Sequence, residues 1–174
     1  MLLLFYLHIR GDDLSQVLNF GIVEIKFMKE IKSKNIFVKG PISPEFIASD
    51  IQKHSSKKNI GGHSIFLGQV RADTIDQKQV KFIEYTAYEE MALEKMHIIR
   101  EAIFQKYDLI CLHVYHSLGI VHAGEISLFV FVSSVHRKAS IDACEEIVGR
   151  IKSELPVWGK EIFEDESYQW KENN

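Results

Sequence analysis

Cysteine is scarce in this chain. Cys111 and Cys144 are the only two among 174 residues, and they form no CxxC pair. That count and spacing exclude a disulfide framework and a CxxC redox centre. Both thiols sit in apolar periodic segments, which suits buried, inert side chains in a reducing compartment; a cytoplasmic location is the expectation. Basic charge is not in excess: 21 Lys and Arg against 24 Asp and Glu leave a net charge of -3. Bulk nucleic-acid binding calls for a basic surface, so that class is disfavoured. No apolar run approaches the length that crosses a bilayer. Internal repeats and linkers rich in Pro, Gly or Ser are missing too, which leaves one α+β domain, long enough to bury a real core.

The start of the chain is unusual. MLLLFYLHIRGDD opens on a short apolar run with no basic residues ahead of it and no small-residue cleavage site. It does not read as a signal peptide. Met28 begins MKEIKSKNIFVKG, which looks like an ordinary protein start. Residues 1–27 are therefore expected to be an extension outside the fold, arising from an upstream start codon, with the domain spanning 28–174.

Along the rest, Asn35 to Val38 reads as a short strand stopped by Gly40-Pro41. Ser43-Pro44 signals a helix start, with Ser at the cap and Pro in the first turn. Gly61 to Arg71 reads as a strand that ends in a functional loop, Ala72 to Gln79 as a polar, mobile loop, and Val80 to Tyr85 as a returning strand. Helical spacing runs from about Ala87 to Tyr107. Leu109 to Tyr115 and Ile126 to Ser133 look like strands, the second apolar on both faces as a central strand would be. Ser117-Leu118-Gly119 and Ala123-Gly124-Glu125 read as turns between them. A last helix spans about Lys138 to Glu154, with Ile141, Cys144, Val148, Ile151 and Leu155 as its apolar stripe, and Pro156 ends it.

Candidate chemistry is sparse. Cys111, His113, His116 and His122 lie close in sequence, yet strand alternation sends His116 to the opposite face from Cys111 and His113. No HExxH, HxH or CxxC frame appears, so no metal is expected. There is no GxSxG elbow, and Cys144 falls on a buried stripe where a thiol stays inert. An anion pocket is better supported. His136-Arg137 lie where a strand gives way to a helix, and a helix N-terminus with an arginine fork suits phosphate; the plainer reading is a solvated arginine. Lys152 borders the apolar stripe, either as a partly desolvated proton carrier or as a lysine with a buried stem and wet tip. His136 and Lys152 are sixteen positions apart, on the order of 20–24 Å along a helix. Either they serve different sites, or a symmetric dimer brings one end of each helix to the other end of its partner's.

Several segments then agree in order: FLGQVR (Phe66 to Arg71), IEYTAYEEMA (Ile83 to Ala92), GIVHAGE (Gly119 to Glu125), SSVHRKASIDAC (Ser133 to Cys144) and IKSELPVWGKE (Ile151 to Glu161). Together they resemble the large, catalytic subunit family of molybdopterin synthase, over about Ile31 to Trp170. The resemblance implies an α/β hammerhead-type domain with an additional antiparallel β subdomain, working as a homodimer that binds two small ubiquitin-like carriers. Each carrier's C-terminal Gly-Gly thiocarboxylate would donate sulfur to cyclic pyranopterin monophosphate, building the dithiolene of molybdopterin without a cofactor. By position, Lys152 and Lys160 would be catalytic. Phe66, Gln69, Val70, Arg71, His136, Arg137, Gly159 and Glu161 would bind substrate, His136 and Arg137 from across the dimer. One departure stands out. The family carries a second functional lysine directly after Trp, where this chain has Gly159; Lys160, one position later, could swing into the role. The same departure prompts an alternative, a carrier-binding scaffold of this fold without chemistry. A third reading is an unrelated phosphate-binding α+β domain.

Overall fold

Ser43 and Pro44 start the first helix by the means their side chains allow. The Ser43 Oγ accepts a hydrogen bond from the Phe46 N–H at 3.2 Å, and Pro44, with no N–H to satisfy, takes the first turn. The computed structural model describes residues 34–171; the expected extension of residues 1–27 lies outside the described residues. Among these the elements run β1 (Phe37–Lys39), α1 (Pro44–Gln52), β2 (Gly62–Gln69), β3 (Thr74–Ile75), β4 (Lys78–Ala87), α2 (Glu89–Lys106), β5 (Cys111–His122), β6 (Ile126–Ser134), α3 (Arg137–Glu154), β7 (Val157–Phe163) and β8 (Tyr168–Trp170).

β5 organises the sheet, whose order is β2-β6-β5-β4-β7-β8. Its first half, Cys111 to His116, pairs antiparallel with β6, which pairs with β2. Its second half, Gly119 to His122, pairs with β4, which continues through β7 to β8. β1 lies parallel along the middle, Phe37 opposite His116. The change of partners falls on Ser117-Leu118-Gly119, read from sequence as a turn. The strand does not stop there; it bends. Gly119 adopts φ +82°, a left-handed conformation that a Cβ makes costly. The segment Ala72 to Gln79 is likewise more ordered than a plain loop, since Thr74 and Ile75 pair with Gln79 and Lys78.

Helices cover both faces of the first half. α2 and α3 pack Met96, Ile99, Ile103, Ala143, Cys144, Ile147 and Ile151 against Leu112, Val114, Leu128, Val130 and Val132. α1 packs Ile47 against Phe129 and Phe131 on the other face. This is why β6 is apolar on both faces from Leu128 to Val132. Around the second half a smaller core gathers Val70, Val80, Ile83, Val121 and Phe163. The result is an α/β layer with an antiparallel β subdomain, the expected class. The stripe of α3 is rotated from the sequence reading: Ser140, Ala143, Cys144, Ile147 and Ile151 are buried, while Ile141 is 52% exposed. The small residues Ser140 and Ala143 let the helix approach the sheet closely, and that turns Ile141 outward.

Replacing Gly119 with alanine keeps every contact but forces a side chain into the left-handed region. Gly119→Ala is expected to destabilise the fold by about 1–2 kcal/mol, read as a lower urea midpoint at unchanged slope. An unchanged midpoint would contradict the bend as described.

Candidate functional site

The bend in β5 opens a cavity of about 510 Å³ where the two halves of the sheet meet the end of α3. Residues Phe66 to Arg71, at the end of β2, form one wall. β6 begins beneath them with Ser127 and Leu128, and β5 supplies His116. Ile83 and Tyr85 of β4 and Val157 and Gly159 of β7 stand opposite, with Ile151 and Lys152 from the last turn of α3 and Lys171 just after β8.

The floor is polar and ordered. The Tyr85 hydroxyl donates to Ser127 Oγ at 3.3 Å, and Ser127 Oγ donates to the Gly68 carbonyl at 3.3 Å. Burial raises the pKa of Tyr85, so the phenol keeps its proton. His116 Nδ1 donates to the Ser117 carbonyl at 2.8 Å, which leaves Nε2 as an acceptor. Burial lowers the pKa of His116, so this ring stays neutral.

The rim is cationic. Arg71 pairs with Asp73 at 2.8 Å but keeps its side chain 75% exposed. Lys152 is exposed on the α3 wall, which fits the wet-tipped of the two readings its place beside the stripe allowed. Lys171 Nζ donates to Glu161 Oε1 at 2.8 Å, while Gln169 Nε2 donates to Glu161 Oε2 at 2.8 Å. Glu161 is 3% exposed; a carboxylate buried to that degree needs such partners. The Lys171 backbone N–H also donates to the Gly159 carbonyl at 2.8 Å. A Cβ at Gly159 would stand 3.0 Å from Ile83 Cγ2 and 3.5 Å from Lys171 Cβ. The glycine thus leaves room for Ile83, while the Lys171 stem lies at ordinary contact distance.

Of the residues singled out in the sequence, Phe66, Gln69, Val70, Arg71, Lys152 and Gly159 come together here. His136 and Arg137 do not: both are exposed at the far end of α3, an unbroken helix of 18 residues. Lys160 does not swing in. It alternates to the opposite face of β7 from Gly159, and its Nζ lies 4.2 Å over the Tyr168 ring. Glu161 is on the cavity side but lies under Lys171 and Gln169. Sequence reasoning missed Tyr85, His116 and Ser127 as floor residues and Lys171 as a wall cation. Lys171 becomes visible only through the pairing of β7 with β8, in which Lys160 faces Trp170.

Neutral burial of His116 fixes a sign. Below the ordinary histidine value of 6.5 an unfolded histidine binds a proton that the folded ring refuses. Acidification through that value therefore favours the unfolded chain. Stability is expected to fall as pH drops below 6.5, and less steeply in His116→Gln; denaturant titrations on either side of that pH check it, and equal slopes would contradict it.

Comparison with known proteins gives a consistent picture. The family model described as MoaE protein matches residues 39–154. The molybdopterin synthase catalytic subunit of Pyrococcus abyssi is 35% identical over 143 residues, covering 82% of this chain and 94% of the relative. The crystal structure of molybdopterin synthase from Staphylococcus aureus is similar with a TM-score of 0.70 at 31% identity, covering 80% of this chain and 98% of that one. The complex of subunits 1 and 2 of the molybdopterin-converting factor from Helicobacter pylori shares the fold, with a TM-score of 0.67 at 19% identity over 79% of this chain and 90% of that one.

Proposed function

The chain belongs to the MoaE protein family, and on that premise we propose that it is the catalytic subunit of a molybdopterin synthase. It transfers sulfur from the C-terminal thiocarboxylate of a small ubiquitin-like carrier to cyclic pyranopterin monophosphate. The observation that carries this reading is the cavity itself. Its volume of about 510 Å³ suits a ligand of that size, and Arg71, Lys152 and Lys171 on its walls suit an anion.

A thiocarboxylate is already an activated donor, so the pocket needs no nucleophile of its own. The donor sulfur adds to an electrophilic carbon of the substrate, whose C–O bond breaks as the departing oxygen takes up a proton, while the carrier's acyl carbon stays attached through the sulfur as a thioester. Water then takes the acyl group, leaving carrier carboxylate and sulfur on the pterin, and a second carrier repeats the round. The protein's tasks are to hold both reactants in register, offset the phosphate charge and move protons. Arg71 offers a fork for phosphate. Lys152 moves the proton as sulfur adds. Lys171 takes the place of the lysine that Gly159 lacks, so the pocket keeps two lysines and the scaffold alternative loses its motive. Phe66, Gln69 and Val70 shape the substrate's berth. Glu161 holds Lys171 in place.

His136 and Arg137 reach the substrate from a second copy of the chain, which completes each pocket in a two-fold dimer and gives a heterotetramer with two carriers. No helix among the described residues is long and apolar enough to cross a membrane. A cytoplasmic setting belongs to the proposal because the donor thiolate needs reducing surroundings.

A purified transfer assay with cognate carrier and substrate tests the roles. Lys152→Ala is expected to slow sulfur transfer by about 10²–10⁴-fold while the carrier still binds. Lys171→Ala should slow transfer clearly, and Lys160→Ala should leave it close to wild type. Full activity in Lys152→Ala would refute the mechanism. A loss in Lys160→Ala with none in Lys171→Ala would reverse the assignment of the second lysine.

A further inference from the structure

A second cluster of functional side chains lies at the other end of β5, on the face covered by α1. His54, just past α1, sets its Nε2 3.2 Å from the Nε2 of His113 on β5. The ligand atoms of His54, His113 and Cys111 lie within 4.8 Å of one another. His54 and Cys111 are buried, and the His113 side chain is 17% exposed.

The hydrogen bonds fix where the protons are. His54 Nδ1 lies 2.8 Å from the Asp50 carbonyl, an acceptor only, so Nδ1 carries the hydrogen and Nε2 a lone pair. His113 Nδ1 faces Tyr115 Oη at 3.5 Å and Asp50 Oδ2 at 3.1 Å. The Tyr115 hydrogen is already given to Asp50 Oδ1 at 3.3 Å. His113 Nδ1 must therefore be the donor, and its Nε2 is a second lone pair. Two lone pairs then point at each other across 3.2 Å, with a thiol beside them. Apart they repel; around a cation they are a ligand set. Two nitrogens on one tetrahedral zinc ion, each at about 2.0–2.1 Å, sit roughly 3.3 Å apart.

We propose that His54 Nε2, His113 Nε2 and Cys111 Sγ bind a thiophilic divalent cation of the zinc type, with the fourth position left to water. Asp50 is 2% exposed, and its Oδ2 has no hydrogen bond of good geometry. It orients His113 from behind, as carboxylates behind metal-bound histidines do. A thiolate and the Asp50 carboxylate face the dication, and the carboxylate is shared with Lys53, whose Nζ stands 3.6 Å from Asp50 Oδ1. Lys34 and Arg100 line a small cavity beside His113 together with α2 residues; neither occupies a ligand position. The ion would pin the end of α1 to β5, three strand positions (about 10 Å) from His116 of the sulfur-transfer cavity, and it takes no part in that chemistry.

The test uses the full chain, stripped with a chelator and titrated with Zn²⁺ and Co²⁺. One Zn²⁺ per chain is expected, and the Co²⁺ form should show a thiolate-to-metal charge-transfer band. Cys111→Ser, which nearly keeps the side-chain volume, should remove that band. Asp50→Asn should weaken Zn²⁺ binding by about 10–100-fold. His113→Gln should bind no Zn²⁺ at this site, and its thermal unfolding without metal checks that it has folded. No stoichiometric uptake by wild type would mean that the two rings share a proton instead, and would overturn the proposal. So would uptake with a Co²⁺ spectrum that Cys111→Ser and His113→Gln leave unchanged, since exposed histidines such as His122 and His136 would then be the ligands.

Discussion

The stiffness of α3 is the constraint from which the functional reading follows. Its 18 residues run without a break from Arg137 to Glu154, and a helix of that length cannot fold its ends together. Lys152 therefore belongs to one place in a chain and His136-Arg137 to another. The Lys152 end lines the cavity, and neither His136 nor Arg137 does. Whatever His136 and Arg137 bind, they cannot bring it to Lys152 of their own chain. A symmetric pair of chains removes the difficulty because each helix can lend its N-terminal end to its neighbour.

The cavity at the Lys152 end exists because β5 changes partners. A strand that paired with β6 throughout would leave α3 resting on a continuous sheet with no hollow beneath its last turn. The bend at Gly119 carries β4, β7 and β8 away to form the opposite wall. That wall carries Gly159. Beside Gly159, which leaves room for Ile83, Lys171 is anchored by the buried Glu161. Charge is thus supplied to the cavity from three separate elements, with the floor left to neutral Tyr85, His116 and Ser127.

Much of this was legible in the sequence. The Ser43-Pro44 start, the doubly apolar β6 and the extents of α2 and α3 follow from local rules, because cap chemistry and burial on both faces mark their own residues. Ser117 to Gly119 misled because glycine signals a turn and a bend within a strand alike; only the partners on either side tell them apart. β7 is hard to see because Gly159 and Glu161 interrupt its inner side between Val157 and Phe163. Without β7 and β8, Lys171 could not be placed, and attention went to Lys160 by adjacency alone. The candidate metal cluster was hidden for a related reason. Cys111 and His113 lie among histidines near in sequence, whereas their partner His54 arrives from 57 and 59 positions away by the packing of α1.

The most direct measurement mixes two inactive variants. Arg137→Ala and Lys152→Ala chains are each purified, unfolded, refolded together and assayed for sulfur transfer with the carrier. If each pocket draws Lys152 from one copy and Arg137 from the other, mixed dimers contain one intact pocket and part of the activity returns. A mixture as inactive as its components, though mixed dimers have formed, would show that the two residues do not serve a shared site.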